Sequence, residues 1–188
     1  MVPHILFRSN DPDYFPGPDV WGTEECGPIS SSGISQPPVA ATFVRAIWEK
    51  DKTIGNNRLK KIFPKLKAWH KWFMTWRLTD RNCIFISHPW EAGRDNSPDW
   101  DNAMRAINPV GVGEYTRRDT SHVDGSMRPT QEDYDRYLWL VQRGRKLKWD
   151  EELMSVNRPF EVADPTMTFI LLRASRDLLY MAEALDCL

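Results

Sequence analysis

Apolar residues recur at helical spacing in several stretches of this chain, and polar or Gly/Pro-rich segments separate them. The first stripe is Val39, Phe43, Ala46 and Ile47, extended by Trp48. Pro37 and Pro38 precede it, where a first helical turn tolerates a missing N–H. The pattern predicts a helix that buries this stripe and ends at Asp51-Lys52 and Gly55-Asn56-Asn57. A short turn over 59–63 then leads to Pro64, which starts a second helix. Its apolar face is Leu66, Trp69, Trp72, Phe73 and Trp76.

Residues 83–86 form a short apolar run, consistent with a strand or an extended piece feeding a loop. Ser97-Pro98 reads as N-cap and first helical position. Another helix starts at Thr130, with Glu132 and Asp133 in its first turn, where the helix dipole favours acids. Tyr134, Tyr137, Leu138 and Val141 are its buried stripe. A short helix is expected over 150–156. The last takes Asp164 as N-cap and Pro165 as first residue, then runs through Met167, Ile170, Leu171, Ala174, Leu178 and Met181 to about residue 185.

Residues 1–34 and 106–129 have no such period. The first segment is broken by Pro3, Pro12, Pro16, Pro18 and Pro28 and by Gly17, Gly22, Gly27 and Gly33. It also holds Phe7, Tyr14, Phe15, Val20 and Trp21, so it packs over a scaffold or lines a site, and residues 14–21 have the makings of a lid. Loops this long in a compact domain are usually functional. Helices joined by long aromatic loops give an all-α class. They suit an α/α toroid better than a four-helix bundle, whose turns are short.

Composition narrows the function. A chain of 188 residues can hold one domain with a substantial core. Its formal net charge of −1 gives no bulk attraction to nucleic acid. Lys60, Lys61, Lys65, Lys67 and Lys71 have the spacing of a solvated helix face. Cys26, Cys83 and Cys187 are far apart and odd in number, so reduced thiols are expected. The start of the chain lacks the basic-then-apolar pattern of a signal peptide, and no window approaches a membrane span. A cytoplasmic setting without membrane partners follows as an expectation. His4, His70, His88 and His122 form no HxxxH or HExxH, so no metal is expected, and no cofactor loop or GxSxG elbow is present. Asp119, His122 and Asp124 have the makings of a local polar network.

The candidate chemistry lies in residues 88–98. Asp95 can donate a proton to a glycosidic oxygen, or it can cap a turn. Asn96 and Gln36 can hydrogen-bond sugar hydroxyls or hold their own backbone. Trp90 can stack on a sugar face or pack the loop to the core, and Gly93 lets substrate approach the backbone. Asp99 and Asp101 read as first-turn acids of the helix that Pro98 begins.

Four stretches carry a resemblance: Tyr14-Phe15-Pro16-Gly17-Pro18; Gly33-Ile34-Ser35-Gln36-Pro37-Pro38; residues 88–98 with Trp100-Asp101; and Pro159-Phe160-Glu161-Val162 with Asp164-Pro165. Arg128-Pro129-Thr130 and the helix after it add to it. The chain resembles the catalytic domain of the mannosylglycerate hydrolase type, within or close to glycoside hydrolase family 63. The resemblance implies part of an (α/α)6 toroid, with residues 1–188 a single segment incomplete at both ends. It implies inverting hydrolysis of an α-glycosidic bond in a small sugar conjugate of the mannosylglycerate or glucosylglycerate type. Trp90, Glu91, Gly93 and Asp95 match the family's acid loop, which makes Asp95 the proton donor. Ala92 replaces a serine and Arg94 a methionine, and a guanidinium facing Asp95 would lower its pKa.

Arg128 could grip a carboxylate such as glycerate through its planar fork, or pair at the surface. The family's base is a glutamate beyond the position of Leu188. Glu24, Glu25, Glu114 and Asp124 are the in-chain alternatives. The rival reading is a non-catalytic truncated paralogue or fragment, a sugar-binding or interaction module. It would self-associate or pair with the missing half of the barrel through faces rich in Trp69, Trp72 and Trp76, or through their counterparts on the last helix.

Overall fold

The computed structural model describes residues 1–22, 29–121 and 123–185. Its elements in chain order are α1 (Pro18–Trp21), α2 (Ala40–Lys50), α3 (Lys52–Trp76), β1 (Phe85–Ile86), α4 (Asp101–Arg105), α5 (Gln131–Lys146), α6 (Glu151–Ser155), β2 (Val162–Ala163) and α7 (Pro165–Ala184). Short 3-10 turns occupy Pro89–Ala92, Pro98–Trp100 and Gly125–Met127. The two short strands pair. The chain divides into two compact units. One comprises Met1–Val2, Pro37–Phe85 and Ala163–Leu188; the other comprises Pro3–Gln36 and Ile86–Val162.

The first unit is built on α2, α3 and α7. Its core joins Ala41 and Trp48 of α2, Leu59, Phe63 and Leu66 of α3, and Ala174, Leu178, Met181 and Ala182 of α7. Asp164 caps α7 as expected, accepting from the Thr166 N–H at 2.9 Å, with Pro165 first in the helix. Asp177 is buried in this unit. It accepts from Thr42 at 2.7 Å, Arg45 at 2.8 Å and Arg173 at 2.9 Å. Burial alone would raise its pKa, but these three donors outweigh it and hold the carboxylate below its ordinary range.

Three expectations are corrected here. Gly55, Asn56, Asn57 and Pro64 do not break the chain into two helices; all four lie inside α3. The reason is Trp48. A Cβ on Gly55 would lie 2.7 Å from Trp48 Cδ1, and Asn56 Oδ1 accepts from the indole N–H at 2.7 Å. Residues that look like a helix stop are there to seat an indole. Pro64 sits on the exposed side, and burial of Leu66, Trp69 and Phe73 offsets the roughly 3 kcal/mol that an interior proline costs.

The second correction concerns α2. Ala41 and Trp48 face the core, whereas Val39, Phe43 and Ile47 of the predicted stripe are 39%, 61% and 72% exposed, and Ala46 is exposed too. The third is the tryptophan-rich exposed face, since exposed apolar residues lie instead on the last helix, at Phe169, Leu172 and Leu179 of α7. Trp69 is buried, and Trp72 and Trp76 are half-buried, with Arg77 over the Trp72 ring at 4.5 Å. The five lysines do line the wet side of α3.

In the second unit α1 packs on α5. Thr130 caps α5 by accepting from Asp133 N–H, and Tyr134, Tyr137, Leu138 and Val141 are buried as expected. The irregular N-terminal segment is tied down by backbone hydrogen bonds: His4 N–H to Ile34, Ser32 N–H to Ile5 and Phe7 N–H to Ser30. Trp149 lies against two glycines. A Cβ on Gly33 would sit 1.8 Å, and on Gly144 2.3 Å, from its ring. Its indole N–H donates to the Trp21 carbonyl at 2.9 Å, and Trp21 donates in turn to the Pro16 carbonyl at 3.2 Å. The glycines thus set the depth of Trp149, and Trp149 sets Trp21. Among the described residues no helix is long and apolar enough to cross a membrane, and no cluster of three metal-ligating side chains occurs.

Candidate active site

The acid loop is held by its own buried polar groups. His88 N-caps the 3-10 turn Pro89–Ala92: its Nδ1 accepts from the Trp90 N–H at 3.1 Å. Its Nε2 lies 3.1 Å from the Tyr137 carbonyl. An accepting Nδ1 carries no proton, so the ring is the neutral Nε2–H tautomer donating to that carbonyl. Burial drives the His88 pKa down to about 4, which keeps it neutral. Glu91 is 2% exposed and serves as an anchor. Its carboxylate accepts from Ser35 N–H at 3.1 Å and from Ser87 N–H at 2.8 Å. Gly93 ends the turn at φ +67°, where a side chain would be strained.

Two ring groups then pin the backbone beside the acid. The Trp100 indole N–H donates to the Arg94 carbonyl at 2.9 Å, and Tyr137 O–H donates to the Asp95 carbonyl at 2.9 Å. Ser97 N-caps Pro98–Trp100 through Asp99 N–H, as Ser97-Pro98 predicts. The side chain of Arg94 turns away to Asp99, 2.9 Å from its carboxylate.

Asp95 opens into a cavity of about 400 Å³ that lies wholly in the second unit. Trp21, Trp90, Tyr134, Tyr14 and Phe15 supply its aromatic lining; Asp95, Asn96, Asp13, Asp119, Arg118 and Arg128 supply its polar lining. His4, Ile5, Pro16, Ser121 and Pro129 complete it. Trp90 packs on His88, with centroids 4.5 Å apart, and edge-on to Tyr137 at 5.6 Å. Phe15, Tyr115 and Tyr134 stack, Phe15 on Tyr115 at 5.3 Å and Tyr115 on Tyr134 at 5.8 Å.

Four of the six expected site residues meet here: Trp90, Asp95, Asn96 and Arg128. Gln36 is half-buried and Gly93 is exposed, and neither lines the cavity. Asn96 donates to the Met127 carbonyl at 3.1 Å, which joins the acid loop to the segment before Arg128. Glu114 is exposed and outside the lining, and Asp124 caps the turn Gly125–Met127 through Ser126 N–H at 2.9 Å. Glu24, Glu25, Cys26, His122 and Cys187 lie outside the described residues.

Asp119 and Arg117 were not foreseen as site residues. Arg117 binds Asp119 with two parallel bonds, Nε–Oδ1 at 3.0 Å and Nη2–Oδ2 at 2.7 Å, while its guanidinium lies over the Tyr134 ring at 4.6 Å. Arg128 Nε donates to the same Oδ2 at 3.1 Å. Burial would raise the Asp119 pKa, but the two guanidiniums outweigh it and hold it low. Asp95 goes the other way. Burial pushes its pKa above the ordinary carboxylate range, against the pull of Arg128 and of a backbone hydrogen bond. Burial and the nearby Asp95 charge also raise the pKa of Tyr14. The cavity therefore holds one carboxyl that favours its proton and one fixed as an anion between two arginines, a separation typical of groups with different chemical roles.

Known proteins share this stretch of chain and its fold. Mannosylglycerate hydrolase MGH2 of Selaginella moellendorffii is 46% identical over 187 residues, spanning 98% of this chain and 38% of that protein. The mannosylglycerate hydrolase of Thermus thermophilus is 45% identical over 189 residues, spanning 99% of this chain and 46% of that protein. The crystal structure of the family GH63 mannosylglycerate hydrolase from another strain of Thermus thermophilus, in complex with Tris and D-glycerate, superposes with a TM-score of 0.92 at 44% identity. The match covers 99% of this chain and 45% of the neighbour. This chain is the all-α segment of an (α/α)6 toroid that the sequence led us to expect. It spans under half the length of these relatives. The model of the mannosylglycerate hydrolase MGH1-like glycoside hydrolase domain matches residues 1–187, and the chain belongs to that family.

Proposed function

We propose that this chain carries the acid half of an inverting glycoside hydrolase site for a small sugar conjugate with an anionic aglycone, of the mannosylglycerate or glucosylglycerate type. The observation that carries the reading is Asp95. It is a partly desolvated carboxyl, raised in pKa, in an aromatic-walled cavity that also holds an arginine. Asp95 gives its proton to the glycosidic oxygen as the bond from the anomeric carbon breaks. Water attacks that carbon from the opposite face and yields its proton to a second carboxylate, so sugar and free glycerate leave. Trp90 offers a ring face or edge to the sugar, and Asn96 an amide. Arg128 meets the carboxylate of the aglycone, since its Nη atoms are not engaged in the bond that Nε makes to Asp119. D-glycerate in the Thermus thermophilus structure supports a ligand of this kind.

Asp119 is a poor base for this reaction, because both of its oxygens are occupied by arginine donors. We assign the base to the portion of the family fold that this chain does not span. That same observation favours a second reading for the chain alone, as a sugar-binding module without turnover.

The test is incubation with mannosylglycerate followed by 1H NMR of the released sugar. Turnover with an inverted first-formed anomer, lost on the order of 100-fold or more in Asp95→Asn with an unchanged circular dichroism spectrum, supports the catalytic reading. Undiminished turnover in Asp95→Asn would overturn it. D-glycerate binding without turnover selects the module.

A further inference from the structure

Two arginines line the cavity of Asp95, and the proposed function uses one of them. Arg128 is aimed by Asp119 and offers its Nη atoms to a carboxylate. Arg118 is the other. Its neighbours in the chain, Arg117 and Asp119, are bound to each other by two parallel bonds, and Asp119 also takes Arg128, so neither Asp119 oxygen is left for Arg118. Among the described residues the Arg118 guanidinium has no acidic partner, Asp13 of the same lining included. Its backbone, by contrast, is fixed. The Arg118 carbonyl accepts from the Ser121 N–H at 3.2 Å and from the Ser121 O–H at 2.6 Å, a turn that holds both residues on the cavity wall. Arg118 is exposed, so it stands at the rim of the cavity rather than in its depth.

A guanidinium on a fixed backbone, without an acid, beside a cavity that already holds a second one, raises the positive potential of that wall. One carboxylate on the ligand can satisfy Arg128 and leaves Arg118 unmatched. The chemistry of the aglycone supplies a second anion. Glycerate has two hydroxyls; the glycosidic bond consumes one, and the other is free to carry a phosphate ester. Such an ester has a charge of roughly −1.5 to −2 at neutral pH and three acceptor oxygens, which suits the planar fork of an arginine.

We propose that Arg118 forms a second anion subsite at the rim of the Asp95 cavity, and that the site takes aglycones bearing a phosphate ester as well as a carboxylate, of the phosphoglycerate type. The inference rests on the reading that Arg128 meets the carboxylate of the aglycone. The reaction is unchanged: the bond from the anomeric carbon to the glycosidic oxygen breaks, that oxygen takes the Asp95 proton, and the phosphate ester leaves intact on the aglycone.

The experiment is titration calorimetry of the full chain at pH 7 with D-glycerate, each of the two phosphoglycerate isomers, and inorganic phosphate. At least one phosphoglycerate isomer should bind at least about tenfold tighter than D-glycerate and than inorganic phosphate, as a charge-assisted contact is gained. Arg118→Gln, at an exposed position, should keep the circular dichroism spectrum of the parent and weaken phosphoglycerate at least about tenfold more than it weakens D-glycerate. Arg118→Lys should restore part of the difference. Equal affinities for D-glycerate and both isomers overturn the proposal. So does inorganic phosphate that binds as tightly as phosphoglycerate, and so does an Arg118→Gln variant in which the preference for phosphoglycerate survives. Arg128→Gln keeps the two claims apart. D-glycerate binding indifferent to Arg128→Gln overturns the carboxylate reading, whereas the Arg118 subsite is judged by the ratio of phosphoglycerate to D-glycerate affinity.

Discussion

Arg128 reaches Asp119 through Nε at 3.1 Å, and Asp119 is in turn clamped by both Nε and Nη2 of Arg117. One carboxylate thus fixes the direction of the arginine that shares the cavity with Asp95. Asp119→Asn leaves two guanidiniums facing each other. We expect a loss of about 1–3 kcal/mol at pH 7, below the cost of breaking a fully buried pair because Arg128 is 30% exposed. The folded pKa of Asp119 is depressed, so its contribution is present above the unfolded value near 4 and is lost as pH falls through the folded value. Urea melts of parent and variant should therefore converge in acid. On the proposed function, D-glycerate affinity should also fall roughly tenfold, as a correctly aimed charge-assisted contact is lost. Calorimetry at constant pH reads it.

His88 makes the opposite kind of prediction, because its proton is excluded. Its pKa is about 4 in the folded chain and 6.5 unperturbed. Below pH 6.5 the unfolded chain takes up a proton that the folded chain refuses, so stability falls as pH falls from 6.5 towards 4. The full difference is about 3 kcal/mol at 1.36 kcal/mol per unit. His88→Gln should be less stable at pH 7, since it disturbs the hydrogen bonds with Trp90 N–H and the Tyr137 carbonyl. Its stability should change less between about pH 6.5 and 4.5. Equal slopes for parent and variant in that window would show that His88 does not carry the effect.

What could be read from the sequence divides by distance along the chain. Ser97-Pro98 and Asp164-Pro165 cap the turns they were expected to cap, and Thr130 and Asp150 cap the helices expected to start at them, because a cap is settled within three residues. Gly55 and Pro64 misled for the converse reason. Their meaning depends on Trp48 and on which side of α3 faces water, and neither is local. On α2 the period was legible but not its direction: Ala41 and Trp48 face the core, and the stripe of Val39, Phe43 and Ile47 does not. At the site, the acid loop was legible because Asp95, Asn96 and Trp90 are close in sequence. Asp119, Tyr14 and His4 come from irregular segments far from it, where no period marks which residues turn inward. The one signal for Asp119 was its place with His122 and Asp124 in a polar stretch of the long segment that leads to Arg128.

Gly144 offers a test of how the aromatic wall is set. In a helix such as α5, Gly→Ala ordinarily stabilises by up to about 1 kcal/mol. Here the added Cβ would meet the Trp149 ring at 2.3 Å. The ring cannot yield alone, because its N–H holds the Trp21 carbonyl. We expect Gly144→Ala to be less stable by about 1–3 kcal/mol, the usual cost of overpacking, and to shift tryptophan fluorescence as Trp149 and Trp21 move. Gly33→Ala, on the other approach to the same ring at 1.8 Å, should cost at least as much. A stabilised Gly144→Ala would mean that Trp149 does not seat Trp21 in this way.

The charge environment of Asp95 separates Arg94, the arginine the sequence sets beside it, from Arg128. Arg94 is its neighbour in the chain, but its guanidinium pairs with Asp99 and lies over the Trp100 ring at 4.9 Å. Arg128 is 33 residues away in sequence, yet it is the arginine whose charge lowers the Asp95 pKa. Burial exceeds that pull, so the net shift is upward. Carboxyl 13C NMR titration should accordingly find Asp95 above the ordinary aspartate value. Arg128→Gln removes the opposing charge and should raise the pKa further. Arg94→Met, which installs the family's residue, should leave it close to the parent. The pH window follows from these directions: the proton on Asp95 survives to higher pH in Arg128→Gln, so any activity that needs it should extend further to the alkaline side, while binding of an anionic aglycone weakens. If Arg94→Met shifts Asp95 and Arg128→Gln does not, Arg94 faces the acid after all, and the donor role assigned to Asp95 loses its electrostatic support.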